Sequence, residues 1–594
     1  MLAPDSRRTL IDQLRPPVGY RLDAAVGTTF TLDLTAALVP PLAFASFAVR
    51  STTDPVSVLE AVRSCADRVD VFAQQGNMRA PSKYTALTAF LEPMLHEVQT
   101  PPGGLFHPKL WLMRFTTDDE PDVYRLVVLS RNLTEDHAWD VSLTLDASRG
   151  TRATAANRPL SALIRSLPGR TERPVPADRR ARIDQLAEDV RYLEWERPEG
   201  VTELVFHVFG VANERAAPDF TGYRHLVVSP FLNDAGLAQL TEGSKSATVV
   251  SRASSLDSLA PETVQGLDAT YVVSTVAGLD DGDATEGDKP AALLNDLHAK
   301  LVVVERSQQA HLFLGSANAT DAALNRNVEI LVQLTGGKKN FGVGTMLDPG
   351  SPFLGMLEQY DAVGGALPDP DAEAQWQLEN ALRVLASRRW VVSVGRSEDA
   401  YSLRFETRDG ATVPADMTAQ AEPLAHPGVA CAVEDGRTNH GTVEGVPLIE
   451  VSPFLRLRLT DDAGREAACV VRAELRGDPK GRLDEVLASQ INTPEKFLRF
   501  MALLLGLGQS HPLAMMGLGD AAAGSRGGLA PAPQVFEIVI RALARSPESI
   551  DDLDRLVRRM LATENGAANL PEGFAAFWDV VTASRMKLTP EAIR

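Results

Sequence analysis

Phe106-His107-Pro108-Lys109-Leu110-Trp111-Leu112 and Leu297-His298-Ala299-Lys300-Leu301-Val302-Val303 each set a histidine and a lysine two residues apart at the head of an apolar run. Each is followed by a serine and an asparagine. Ser130-Arg131-Asn132 puts Asn132 25 residues after His107, and Ser316-Ala317-Asn318 puts Asn318 20 residues after His298. With 10 His and 10 Lys in 594 residues, chance supplies about 0.17 H-x-K triplets. Two occur, in matching context, so a functional reading outweighs a packing one.

An imidazole, an ammonium and an amide, supplied twice, are the parts needed to break a phosphodiester bond without a metal. Phosphorus under attack passes through a pentacoordinate state with charge on its equatorial oxygens. Lys109 and Lys300 would neutralise that charge and Asn132 and Asn318 would donate to it; one such donor is worth about 10²–10³ in rate. One histidine can attack phosphorus and split the displacement into two steps. The other can protonate the leaving alkoxide and then deprotonate water, worth about 10²–10⁴.

To deliver these groups the chain needs two similar units. On a strand, residues two apart share a face, so His107 would lie beside Lys109 and His298 beside Lys300, with the asparagine brought alongside by the hairpin partner. From about Tyr20 to Asp146 the pattern predicts a strand at Thr28–Leu34 and helices over 56–69 and 84–98. It then predicts the His107 strand, a strand Tyr124–Leu129 and a closing strand from Val141. From about Leu204 to Thr335 the order repeats: strand His225–Pro230, helix Ala235–Leu240, strand Ala247–Val250, the His298 strand, strand His311–Leu314 and strand Val328–Val332. The longest apolar run, about Leu34 to Val49, predicts a buried strand followed by a helix start. Such alternation predicts α/β sandwiches packed about a pseudo-two-fold axis. After a linker at Gly364–Pro370, short alternating strands from Trp390 to Arg476 predict a small β domain. Helical spacing follows from Leu483, interrupted by a Gly/Ala-rich loop at Gly517–Pro533. The expected divisions are 1–185, 186–363, 371–480 and 481–594.

The paired stretches resemble the catalytic motifs of the phospholipase D superfamily, H-x-K-x₄-D followed by G-S-x-N. The second copy keeps Gly315-Ser316-Ala317-Asn318 with Glu305 in the place of the family Asp. The first has Arg114 there and lacks the glycine before Ser130. Losing the Asp while keeping His, Lys and Asn is similar to the tyrosyl-DNA phosphodiesterase branch, as is the Asn132–Trp139 segment. The resemblance covers roughly Tyr20 to Thr335. It implies a phospholipase D-like α/β core, His107 as nucleophile and His298 as acid/base. It also implies that Ser130 and Ser316 support the site and that Asp140 and Glu329 orient histidines. No metal and no cofactor are implied.

Composition sets the remaining bounds. Cys65, Cys431 and Cys469 are far apart and in no ligand spacing, which argues against disulfides and zinc and for a cytoplasmic home. The N-terminus lacks an apolar signal, and no run is long enough to span a bilayer. A net charge of −19 does not suggest a generic nucleic-acid coat protein and does not exclude a nuclease. Nine arginines between Asp146 and Arg182 could dock phosphates; an exposed connector with solvated charge is the plainer reading. Five acids between Gly278 and Asp288 read as a solvated loop or a gate. His137, His207 and His311 have no lysine partner and take packing or surface roles. A nuclease or DNA-end phosphodiesterase is expected, with a role in bacterial anti-phage defence by analogy. No G-x₄-G-K-[ST] occurs, so ATP-driven translocation would come from a helicase or another defence-system protein. A phospholipid hydrolase and an inactive binding scaffold are the competing readings; the first lacks an amphipathic basic helix, and the second must explain six retained core residues.

Overall fold

Val26, Leu110, Leu112, Leu126 and Val128 belong to one apolar cluster, whereas Ala25, Trp111, Met113, Val127 and Leu129 belong to another. That two-residue period on strands buried on both faces defines a sheet sandwiched between two cores. The computed structural model describes residues 9–45, 62–81, 84–99, 101–135, 138–212, 218–274, 296–367, 369–397, 400–494 and shorter stretches between 496 and 588. It is a mixed α/β protein with several sheets.

The first sheet has seven strands in the order Leu193–Trp195, Ser142–Arg149, Val123–Leu129, Leu110–Thr116, Arg21–Thr29, Val69–Gln74, Leu95–Val98. The last three are parallel and the others antiparallel. The second sheet begins Val201–Phe209, Glu329–Gly337, Gln309–Gly315, Leu301–Arg306, Arg224–Val228, Ser246–Val250, Ala269–Val273, with the same sequence of antiparallel and parallel pairs. An eighth strand, Leu357–Gln359, closes its edge. The two sheets share one apolar layer, in which Leu110, Leu112, Leu126 and Leu145 of the first meet Leu301, Val303, Leu312 and Leu334 of the second.

Two short parallel pairings join the halves. Phe106 bridges Val328, and Asp296–Leu297 pairs with Ala138–Trp139. Each therefore ties the residue before an H-x-K histidine to the residue before an acid, Glu329 or Asp140, of the opposite half.

The β-rich segment is built into this assembly. Its six-stranded sheet takes Leu32–Asp33 and Met78–Arg79 from the N-terminal region beside Glu466–Arg472, Phe454–Asp461, Met417–Pro423 and Cys431–Val433. A four-stranded sheet and the helix Pro370–Ala386 complete its core around Leu382, Trp390, Phe405 and Leu457. The C-terminal helices Arg482–Gln490 and Phe574–Leu588 place Val486, Phe574 and Trp578 in the cluster behind the first sheet. Among the described residues no helix is long and apolar enough to cross a membrane.

Buried charge locks the contact between these regions. Arg482 donates to both oxygens of Glu92 at 2.8 and 2.7 Å, and to the Val451 carbonyl. Removing one member of such a pair strands the other, at a cost of about 3–5 kcal/mol. Arg482→Ala is expected to lower stability by that amount in a denaturant titration, more than Ala in place of the exposed Arg437 or Arg558.

Several sequence expectations are corrected. Residues 84–98 do not form one helix: a 3₁₀ turn, Ala86–Leu91, leads to the buried strand Leu95–Val98. Pro93 between them has no N–H to donate to a carbonyl one turn back, so the helix is not carried on. The Thr28–Leu34 strand is two strands in different sheets, Arg21–Thr29 and Leu32–Asp33. The apolar run from Leu34 begins with a 3₁₀ turn and the helix Val39–Phe44 rather than a strand, with Pro40 and Pro41 in its first turn where missing donors cost nothing. The helix over 56–69 is described only from 62, where four helical residues lead to a strand starting at Val69. The acidic Gly278–Asp288 segment, His137 and the Gly517–Pro533 loop lie outside the described residues.

The arginine-rich stretch is folded, not a connector. It contains the helices Arg158–Ser166 and Ala177–Val190. Arg179 is buried on Asp70 and the Val69 carbonyl, Arg165 pairs with Glu188, Arg180 with Asp184, and Arg170 donates to Gly210. Arg179 alone of the nine is buried, while Arg149, Arg152, Arg158, Arg165 and Arg180 are exposed, so the expected solvated charge holds for most of the stretch although it lies on a folded segment.

Candidate active site

Neither H-x-K triplet lies within a strand. Each occupies the bend between a short pairing to the opposite half and the long strand that follows, Leu110–Thr116 or Leu301–Arg306. The bends are held alike. The His107 N–H donates to the Val328 carbonyl (3.0 Å), and the His298 N–H to the Trp139 carbonyl (2.8 Å). Lys109 Nζ donates to the His107 carbonyl (3.1 Å), and Lys300 Nζ to the His298 carbonyl (2.9 Å).

Lys300 crosses the boundary as well, donating to the Ser130 carbonyl at 3.2 Å. Both lysines are buried, at 1% and 3% exposure. Burial, followed by the Lys300 charge, holds the Lys109 ammonium well below its ordinary range, while Glu329 pulls the other way. Two buried lysine Nζ groups fixed on backbone carbonyls offer preorganised donors to an anion.

Glu329 is fully buried and accepts from three groups. His107 Nδ1 lies 2.9 and 3.0 Å from its two oxygens, Asn327 Nδ2 donates at 3.1 Å, and the Ser316 hydroxyl donates as well. Burial alone would raise the carboxyl, but His107, Lys109 and the Ser316 hydroxyl outweigh it and hold it below the usual range. Burial likewise depresses His107, against Glu329 and with Lys109 and Lys300, to about 4. The pair at neutral pH is therefore a carboxylate and a neutral imidazole. Its one proton sits on Nδ1 facing Glu329, which leaves the Nε2 lone pair for chemistry. Phe30 meets the ring edge-on, with centroids 5.1 Å apart.

The serines hold the hairpin ends. The Ser130 hydroxyl and N–H both donate to the Val141 carbonyl, and the Val141 N–H donates back to the hydroxyl (2.9 Å). Ser316 repeats this with Ile330 and adds the bond to Glu329. Gly315, at φ 153°, has no room for a side chain, since a Cβ would stand 2.2 Å from the Ile330 carbonyl oxygen. Asn132 Oδ1 accepts from the Thr31 N–H (3.3 Å). The Asn318 side-chain oxygen is buried with no hydrogen-bond partner among the described residues, and Asn318 and Lys300 line one small cavity. A buried amide with spare capacity beside an ammonium is suited to a polar ligand.

Asp140 is placed differently from Glu329. It pairs with Arg131 at 3.5 Å, and burial pushes its carboxyl up against the pull of Arg131 and Lys300. Arg114 and Glu305, at the family's Asp positions, are spoken for elsewhere. Arg114 bonds Asp23 and Asp189, and Glu305 accepts from the Tyr223 hydroxyl. His207 and His311 are joined through Gln333 on the second sheet.

Sequence reasoning missed Asn327, which fixes Glu329 and also accepts from the Leu105 N–H at 2.9 Å. It missed two hydroxyls with equal duties: Thr29 accepts from the Leu133 N–H and Ser229 from the Ala319 N–H, each at 3.0 Å, one residue beyond the asparagine. Superposing Thr29-Phe30-Thr31-Leu32 on Ser229-Pro230-Phe231-Leu232 would have exposed the latter pair.

No family model and no curated protein matches the chain. Among solved structures it is similar to yeast tyrosyl-DNA phosphodiesterase, at a TM-score of 0.35 and 12% identity over 57% of this chain and 87% of that one. A mutant form of the same yeast protein matches at 0.33 and 10%, over 56% and 86%. Similarity at this level assigns no activity.

Proposed function

We propose that this chain is a phospholipase D-type phosphodiesterase that cleaves nucleic acid through a phosphohistidine, using one centre built by both halves about a pseudo-two-fold axis. The observation that carries the reading is the pair of buried lysines, each anchored on the carbonyl of its own H-x-K histidine, beside a carboxylate-oriented imidazole. An apolar core gains nothing from such an arrangement, and a phosphate anion accepts from such donors.

In the proposed reaction His107 Nε2 attacks phosphorus while the bond to the leaving oxygen breaks, and that oxygen takes a proton from His298. Water then attacks phosphorus and loses its proton to His298 as the P–N bond breaks, which frees His107. Lys109, Lys300, Asn132 and Asn318 hold the equatorial oxygens through both steps. Glu329 keeps the Nδ1 proton in place and compensates the charge that His107 acquires.

The test is turnover of single- and double-stranded DNA, RNA and a phospholipid in excess EDTA, beside His107→Ala and His298→Ala. Nucleic-acid cleavage that survives chelation and disappears in both variants is the expected result. Turnover of lipid alone, or of nothing by the wild type, refutes the reading.

Lys109→Met separates this site from a structural one. It is expected to cost about 10²–10³ in turnover while a cooperative unfolding transition is kept, because it removes a donor to the equatorial oxygens. Inorganic phosphate should raise the unfolding temperature of the wild type and not of the variant. A variant that still responds to phosphate contradicts the assignment.

A further inference from the structure

The second half-site carries an exposed feature that the first does not match. In the second half, the turn after strand Arg224–Val228 carries Phe231, 47% exposed, and the turn after strand Ser246–Val250 carries Arg252. The Arg252 guanidinium carbon stands 4.4 Å from the centre of the Phe231 ring. The matching positions of the first half are Thr31 and Gln74, which offer neither an aromatic face nor a cation.

The pair is fastened to the catalytic elements from both sides. Arg252 Nη2 donates to the carbonyl of Leu297, the residue before His298, at 3.2 Å. The Ser229 hydroxyl donates to the Phe231 carbonyl at 2.6 Å and accepts from the N–H of Ala319, the residue after Asn318. Leu232 bridges Ala319, the Ser255 hydroxyl holds the Pro230 carbonyl at 2.9 Å, and the Ser251 hydroxyl holds the Ser229 carbonyl at 2.7 Å. The ring is thus presented to solvent on a turn pinned beside His298 and Asn318, with one face against a guanidinium.

We infer that Phe231 and Arg252 form a base-stacking subsite that seats a nucleobase of single-stranded nucleic acid next to the scissile phosphate, on the His298 side. An exposed aromatic face takes any base, and the guanidinium stacked on its other face adds positive charge where the strand's phosphates pass. A paired duplex cannot offer a splayed base to this ring, so the subsite selects single strands. This deepens the proposed function and rests on the phosphodiester reading of the adjoining site.

The test measures binding and cleavage separately. A fluorescein-labelled oligo-dT is titrated in EDTA by anisotropy against wild type, Phe231→Ala and Phe231→Trp, and hydrolysis of the base-free diester methyl p-nitrophenyl phosphate is followed in parallel. Loss of one stacking contact corresponds to an affinity drop of about 5- to 150-fold in Phe231→Ala, with Phe231→Trp within a few-fold of wild type. The loss on the oligonucleotide should exceed any loss on the base-free diester at least five-fold. Equal binding by wild type and Phe231→Ala, no oligonucleotide binding at all, or an equal loss on both substrates overturns the subsite. If binding falls as expected while the wild type hydrolyses neither substrate, the subsite stands and the hydrolase reading fails.

Discussion

His298→Ala is expected to cut turnover by about 10²–10⁴ and to leave a phosphoryl group covalently on the protein, whereas His107→Ala loses both turnover and adduct. The reason lies in what each imidazole does in the proposed mechanism. His107 has Nδ1 engaged by Glu329 and is depressed by burial to about 4, so its Nε2 is unprotonated at neutral pH and can attack. Without His298 the leaving oxygen departs slowly and water is not activated, so the P–N bond persists. Acid-labile, base-stable label recovered on a peptide containing His107 from His298→Ala protein reacted with ³²P-labelled oligonucleotide is the measurement. Label on His298 in the reciprocal variant would invert the assignment, and label in neither would remove the covalent step.

Glu329→Gln carries the second large effect. An amide keeps the shape but can turn its NH₂ toward Nδ1 and favour the wrong tautomer; in a serine protease the comparable exchange costs about 10⁴. Asn327, Ser316 and His107 all bond this one side chain, so Glu329→Ala leaves three buried groups short of partners and costs about 3–5 kcal/mol as well. The pH dependence follows from the same pair. The folded state keeps His107 near 4 and Glu329 below its usual range, so it binds fewer protons than the unfolded chain. That contribution to stability is complete above the unfolded histidine value of about 6.5 and fades as pH falls toward 4. The acid limb of kcat/KM should accordingly lie near 4, where His107 protonates, and Glu329→Gln should displace it. A limb at 6.5 in the wild type would show an exposed, unassisted imidazole instead.

The six motif residues could be found in the sequence because they sit at fixed offsets from apolar runs, and the runs fold as strands in the expected order. Lys109 to Leu110 and Lys300 to Leu301 mark the strand starts in both copies. What sequence could not supply was partnership across the halves. Glu329 was expected from the family resemblance as an acid that orients a histidine, but that it serves His107, 222 positions away, follows only from the Phe106–Val328 bridge. The arginine-rich stretch is folded where a connector was expected, and spacing does not reveal whether a guanidinium meets water, like Arg152, or, like Arg179, a buried aspartate. The 84–98 stretch misled because its apolar spacing fits a helix until Pro93 is weighed against the burial of Leu95–Val98 in the sheet.

The bond between Glu329 and His107 makes the chain indivisible. A fragment ending before the second sheet would carry His107 with nothing to set its tautomer, and the complementary fragment would bury a carboxylate deprived of its imidazole. Each piece alone should be inert, and recombining them should restore function only to the extent that the Phe106–Val328 and Leu297–Trp139 seams close again.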